Sequence, residues 1–210
     1  NNCAENAASY IAGLKTAGTY SVKVEYGVES GIDNAFGNET KITSDDKGLA
    51  KVAKMIRLKS GSGIYIKLDA SKTTAVSDIE TYNEGEYFKN CTALQEIILP
   101  DWLEYVIPNL FKGCTVLTNI TLTENTKKIC ESAFENCTNL TTITLPDGVT
   151  EIEASAFKGC TKLAAVNMPA TVKKIGSDAF NSCSSLNKVN FTGEKRSWGK
   201  IKRPSTAWHY

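Results

Sequence analysis

The sequence has a single histidine, His209, and it stands next to the last residue. A Ser-His-Asp or Cys-His nucleophile would have to borrow its base from a chain end that ordinarily frays, so catalysis of that kind has no supported site. No Cys-x-x-Cys pair occurs, which removes the short-spaced thiolates that zinc sites use. Gly61-Ser62-Gly63 lacks the Lys and the helix that would make a phosphate loop. The carboxylate neighbours Asp45-Asp46 and Glu151 with Glu153 carry no cleft signature and read as solvated faces. The chain is therefore expected to be no enzyme and to hold no cofactor and no metal. No stretch approaches the run of about 18 apolar residues that a membrane helix needs. Asn1-Asn2-Cys3-Ala4 is not a charged-then-apolar leader, so a soluble chain is expected, its export signal removed if it had one. Lys and Arg number 24 against 23 Asp and Glu, and a net charge of +1 gives no global field to attract nucleic acid or an anionic membrane. Neither a nucleic-acid partner nor membrane insertion is expected, and oligomeric state is left open.

Cysteine, by contrast, is abundant: there are seven, an awkward number for a disulfide framework. Cys91, Cys114, Cys137, Cys160 and Cys183 lie 23 residues apart each time. They mark a repeat, written FKNCTALQEIILP (88–100), FKGCTVLTNITLT (111–123), FENCTNLTTITLP (134–146), FKGCTKLAAVNMP (157–169) and FNSCSSLNKVNFT (180–192). Phe88, Leu94 and Ile97 found three further columns that keep the same period without a gap. Stacked side chains that point the same way present poor disulfide geometry, and free Cys behaves as a small hydrophobe, so the ladder reads as buried thiols. Cys130 stands outside it. Lys127 and Lys128 suggest a lowered pKa, but a half-buried thiol at the position Gly176 takes later is the simpler reading.

Each unit ends in a two-residue alternation, as in Ile143-Thr144-Leu145, which predicts a short strand with one buried face. Pro100, Pro146 and Pro169 cannot donate to a ladder and close it. A second apolar column, Val106, Ile129, Ile152 and Ile175, precedes a short turn that could be helical. Leu110, after Pro108, replaces the Ala of the sibling units and predicts a locally reshaped coil. A 23-residue unit cannot bury its apolar face alone, but copies stacked about 4.8 Å apart join the columns into one core.

The words FxxC-x-x-L-x-x-I-x-L-P, with Ile175-Gly176-Ser177-Asp178-Ala179-Phe180, resemble the BspA-like leucine-rich-repeat family over about residues 65–192. Asn190-Phe191-Thr192-Gly193-Glu194 followed by Trp198 and Ile201 resembles the exit segment that closes such arrays. The expected fold is an α/β leucine-rich-repeat solenoid of about five to six coils. The resemblance implies a secreted or cell-surface protein of anaerobic bacteria or mucosal parasites that binds host matrix proteins or neighbouring cells.

Residues 1–64 do not fit the repeat. Helical spacing over Ala4 to Leu14, alternation over Tyr20 to Tyr26, helical spacing over Leu49 to Leu58 and alternation over Ile64 to Leu68 predict a small α/β N-terminal cap. Gly27 through Asp46 reads as a mobile loop. Residues 193–210, basic through Lys195, Arg196, Lys200, Lys202 and Arg203, read as a C-terminal capping tail in which Trp198 and Trp208 pack. Cys3 is a candidate for lipid modification, with Asn1-Asn2 ahead of it against that reading. The Asn-x-Thr sequons carry little weight, because the repeat consensus generates most of them.

Alternation turns Ile98, Thr121, Thr144, Asn167 and Asn190 outward, with Glu96, Asn119, Thr142, Ala165 and Lys188 two positions earlier on the same side. These rows are the candidate binding surface, flat and mostly polar, suited to an extracellular protein or glycan rather than to a small molecule seeking an apolar pocket. Two functions follow: a non-catalytic binding or adhesion module, or a structural scaffold within a larger surface protein. Thr and Asn chosen only for strand propensity and solubility would give the same rows.

Overall fold

The computed structural model describes residues 10–25, 39–42, 48–72 and 87–208. Residues 10–13 are helical. Then come β1 (Gly18–Glu25), β2 (Glu39–Ile42), α1 (Gly48–Leu58) and β3 (Ile64–Lys72). The front strands of the array are β4 (Leu94–Ile98), β6 (Asn119–Thr121), β8 (Thr142–Thr144), β10 (Ala165–Met168) and β12 (Lys188–Phe191). Between them lie the two-residue strands β5 (Tyr105–Val106), β7 (Lys128–Ile129), β9 (Glu151–Ile152) and β11 (Lys174–Ile175). α2 (Lys195–Lys200) and a 3-10 turn over Ser205–Trp208 follow.

All pairings are parallel, as coils stacked in one direction must be, and they run β2-β1-β3-β4-β6, β8-β10-β12 and β5-β7-β9-β11. From β4 onward partners sit 23 residues apart, as in Ile97↔Ile120 and Ile129↔Ile152, so the sequence period is the stacking step. The architecture is the leucine-rich-repeat solenoid expected from that period.

The columns become the core. Phe88, Phe111, Phe134, Phe157 and Phe180 are buried and stack, with ring centroids 5.1 to 5.5 Å apart and planes within 15° of parallel. Trp208 adds a sixth ring 4.5 Å from Phe180. Its neighbour Ala207 accepts from the Phe180 N–H at 3.0 Å, as Ala179 does from Phe157 at 2.8 Å, so Ala207-Trp208 repeats the Ala-Phe pair of the coils. Cys114, Cys137, Cys160 and Cys183 each donate a thiol to the carbonyl of the Phe 26 residues earlier, at 2.9 to 3.1 Å. Cysteine suits this column because it fills it as a small hydrophobe while its weak donor reaches a buried carbonyl.

Three expectations change. The presumed helical turns are not helices: Asn109, Ser132, Ser155 and Asp178 hold left-handed φ of 55° to 61°, which interrupts a right-handed helix at each coil. Leu110 does not reshape its coil. It is buried, and the flanking Asn109 and Phe111 N–H groups still bond to Glu131 and Ala133 of the next unit. The loop expected over Gly27 to Asp46 contains β2, whose polar residues are held by main-chain pairing with β1, so no apolar alternation announced it. The rest of that loop and most of the Ala4 to Leu14 helix lie outside the described residues.

Before the array, Val52, Ala53 and Ile56 put one face of α1 into the same core as Ile64, Ile66 and Leu68 of β3. Because β3 pairs with β4, the front sheet runs on into this segment.

Candidate functional site

With Ile97, Ile120, Ile143 and Val166 buried, strand parity turns two rows outward. In the first, Ser21, Lys67, Glu96 and Asn119 are register partners, and so are Thr142, Ala165 and Lys188. The second aligns Asp69, Ile98 and Thr121, then Thr144, Asn167 and Asn190. Asn119, Thr121, Thr142, Thr144 and Lys188 are exposed, whereas Glu96, Asn167 and Asn190 are half-buried. With Ile98, these make the nine side chains of the two rows taken as binding candidates, Ala165 apart, and each lies on the front face.

The face has two panels, since no backbone hydrogen bond joins the described residues of β6 and β8. Over β1, β3, β4 and β6 the surface holds a groove of about 430 Å³, bordered by Ser21, Lys67, Asp69, Glu96, Ile98, Asn119 and Thr121. This corrects the flat surface expected from sequence on this panel, while the rim stays mostly polar, with Ile98 its exposed apolar member. The groove lies where the long strands β1 and β3, eight and nine residues, run beside the three-residue β6. Ile98 is 39% exposed, one of three large exposed hydrophobic side chains among the described residues, with Leu58 and Tyr105. Beside it Lys67 and Glu96 form an ion pair of 2.7 Å, both about two-fifths exposed. A pair so wetted contributes at most about 1 kcal/mol and can exchange partners with a ligand.

The second panel is tied to itself. Asn167 Nδ2 donates to Thr144 Oγ1 at 2.8 Å and Asn190 Nδ2 to Asn167 Oδ1 at 2.7 Å. Of the nine predicted residues, Glu96, Ile98, Asn119 and Thr121 border the groove, while Thr142, Thr144, Asn167, Lys188 and Asn190 lie on this second panel. Ser21, Lys67 and Asp69 were missed. The alternation Ile64-Tyr65-Ile66-Lys67-Leu68-Asp69 was the available signal for the last two, since burying Ile64, Ile66 and Leu68 turns them out.

Chemistry elsewhere is weak. Cys130 is buried, and burial pushes its thiol up to about 11, helped by Glu153 and Glu151 against Lys128. Lys128 cannot activate it, being held by Glu153 at 2.6 Å. Burial likewise raises the thiols of Cys91, Cys114 and Cys137. Among the described residues no three His, Cys, Asp or Glu side chains gather to hold a metal, and no helix is long and apolar enough to cross a membrane. His209 and Cys3 lie outside the described residues.

The family model for the BspA type leucine-rich repeat region matches residues 81–201 in six copies. Among solved structures the chain is similar to a leucine-rich cell surface protein from Faecalibacterium prausnitzii, with 31% identity, a TM-score of 0.53, and coverage of 55% of this chain and 30% of that one. It is also similar to the leucine-rich repeat protein of T. pallidum (34% identity, TM-score 0.49, 50% of this chain and 49% of that one). A leucine-rich repeat protein from Bacteroides ovatus compares at 35% identity, a TM-score of 0.49, and 61% and 31% coverage. The chain thus spans less than half the length of each. No curated protein matches it.

Proposed function

Since the chain belongs to the BspA type leucine-rich repeat family, we propose that it is a non-catalytic binding or adhesion module, secreted or held at the cell surface, that recognises a host matrix protein, cell surface or glycan through its front strands. The observation that carries this is the groove: an exposed Ile98 lies among Asp69, Glu96, Asn119 and Thr121 on a sheet whose opposite face is core. An apolar anchor ringed by hydrogen-bonding groups on a rigid scaffold is what a small interface needs. The similarity to a cell surface protein supports the location.

The test is to probe purified protein against immobilised matrix proteins, mucins and intact cells, with Ile98→Asp and Tyr105→Asp as paired variants. Both replace an exposed apolar residue, but only the first borders the groove. Binding weakened about tenfold or more by Ile98→Asp, a loss of about 1.4 kcal/mol, and unchanged by Tyr105→Asp fits the proposal. Uniform failure to bind, or a loss with Tyr105→Asp alone, sinks it.

The span of only 30% of the F. prausnitzii protein favours one second reading, a scaffold domain of a longer surface protein. Binding by the full-length protein that survives deletion of this segment would select it.

A further inference from the structure

Several cations of the solenoid are neutralised from coil to coil. Lys67 pairs with Glu96, Lys112 with Glu135, Lys127 with Glu104 and Lys128 with Glu153, at 2.6 to 2.7 Å, and Lys174 reaches Glu151. Around and after β11, among the described residues, unpaired cations outnumber paired ones. The peptide of Lys202 lies parallel to Lys174, with Lys202 N–H bonded to Lys173 O at 2.9 Å and Ile175 N–H to Lys202 O at 2.8 Å. Lys173, Lys195, Arg196, Lys200 and Lys202 are all exposed, and none has an ion-pair partner among the described residues. The overall charge of +1 conceals this: residues 65–150 carry six cations and twelve carboxylates, and residues 173–208 eight cations and two carboxylates.

We infer that this C-terminal end is an electrostatic docking surface for a linear anionic polysaccharide, separate from the front groove. Unpaired lysines spread over a helix and a strand edge suit a ligand whose charges repeat along a chain. Other polyanions fit less well. Single-stranded nucleic acid needs open aromatic faces. Here Trp208 stacks on Phe180, and Trp198 packs against Phe191 and Trp208 under the Arg203 guanidinium, 4.8 Å from its ring. A membrane surface needs an apolar face beside the cations. None of the exposed large hydrophobic residues among those described, Leu58, Ile98 and Tyr105, belongs to this end.

The experiment measures binding of the whole chain to heparin over a salt series, with neutral dextran, duplex DNA, anionic phospholipid vesicles and the chain itself as comparisons. The variant combines Lys195→Gln, Arg196→Gln and Lys200→Gln, all on α2, which buries no residue, so folding is expected to survive and an unchanged melting curve checks it. A control with the same charge loss elsewhere combines Lys54→Gln, Lys158→Gln and Lys162→Gln. Log affinity for heparin should fall linearly with log salt, and removing three contacts should lower that slope by about 2 to 3, at roughly 0.7 to 0.9 per contact. The control and Ile98→Asp should leave the slope unchanged. The inference is overturned if heparin does not bind at low salt, if the control weakens binding equally, if DNA or vesicles bind more tightly than heparin, or if the only salt-sensitive association is between copies of the chain. Failure of the front-face proposal would leave all of these readouts untouched.

Discussion

Replacing Phe134 with Leu takes one ring from the middle of a six-ring column and leaves an apolar side chain in its place. Phe134 is fully buried, and its ring lies 5.3 Å from Phe111 and 5.1 Å from Phe157, within 11° and 5° of parallel. Such pairs contribute about 0.5–1.5 kcal/mol beyond the area they bury. Losing two predicts a destabilisation of about 1–3 kcal/mol for Phe134→Leu. Phe88 has one described stacking partner, Phe111 at 5.5 Å, so Phe88→Leu should cost about half as much. Truncation of the same ring by Phe134→Ala adds the cavity and should cost about 3–5 kcal/mol. Guanidinium unfolding followed by both far-UV circular dichroism and tryptophan fluorescence measures each difference. Equal losses at Phe88 and Phe134, or a loss at Phe134→Leu below about 0.5 kcal/mol, would refute the idea that ring stacking couples the coils.

Two further predictions use local geometry. Because burial holds the Cys130 thiol at about 11, the folded chain keeps that proton at pH values where the unfolded chain has released it. Stability should therefore fall as pH rises from about 9 towards 11, and Cys130→Ala should lessen the decline without abolishing it, since the buried thiols of Cys91, Cys114 and Cys137 act in the same direction; titrations of unfolding free energy with identical slopes would exclude the effect. A Cβ at Gly176 would lie 2.4 Å from Ala154 N, a backbone atom that cannot swing aside, so Gly176→Ala should lower stability by about 1–3 kcal/mol. Gly199, in α2 with nothing within 4 Å, should instead gain stability on Gly199→Ala, by up to about 1 kcal/mol in a thermal melt.

The coils were legible because each column holds one chemistry at one spacing, and stacking needs the same residue at the same height. Phe, Cys, Leu and Ile announced themselves in this way. Ala207-Trp208 did not, because it stands 28 residues after Ala179-Phe180 rather than 23 and substitutes Trp for Phe. The family match ends at 201 where the visible repeat stopped at 192, which agrees with Lys202 pairing onto the final coil. It begins at 81 rather than 65, so the front sheet extends through β3 into sequence with no repeat to mark it. The groove was hidden for the same reason. Two of its walls, Ser21 and the Lys67 to Asp69 stretch, come from outside the periodic region, where no column marks them.

The core and the two proposed surfaces draw on different columns, and this makes them separable. The inward columns are apolar but for a few buried hydroxyls such as Thr126, while the groove uses the outward side chains of strands whose inward neighbours Leu68, Ile97 and Ile120 are buried. A change at Ile98 or Thr121 therefore removes no core contact, and a loss of binding there is not a loss of fold. The C-terminal cations lie outside those columns altogether, on α2 and on the strand edge of Lys173 and Lys202. Salt distinguishes the surfaces as well. An interface built around Ile98 gains little from long-range charge, whereas the five cations at the C-terminal end that are unpaired among the described residues act over a Debye length of about 8 Å at physiological ionic strength and fade as salt is added. A ligand that uses both surfaces would lose affinity with salt only down to a plateau set by the groove.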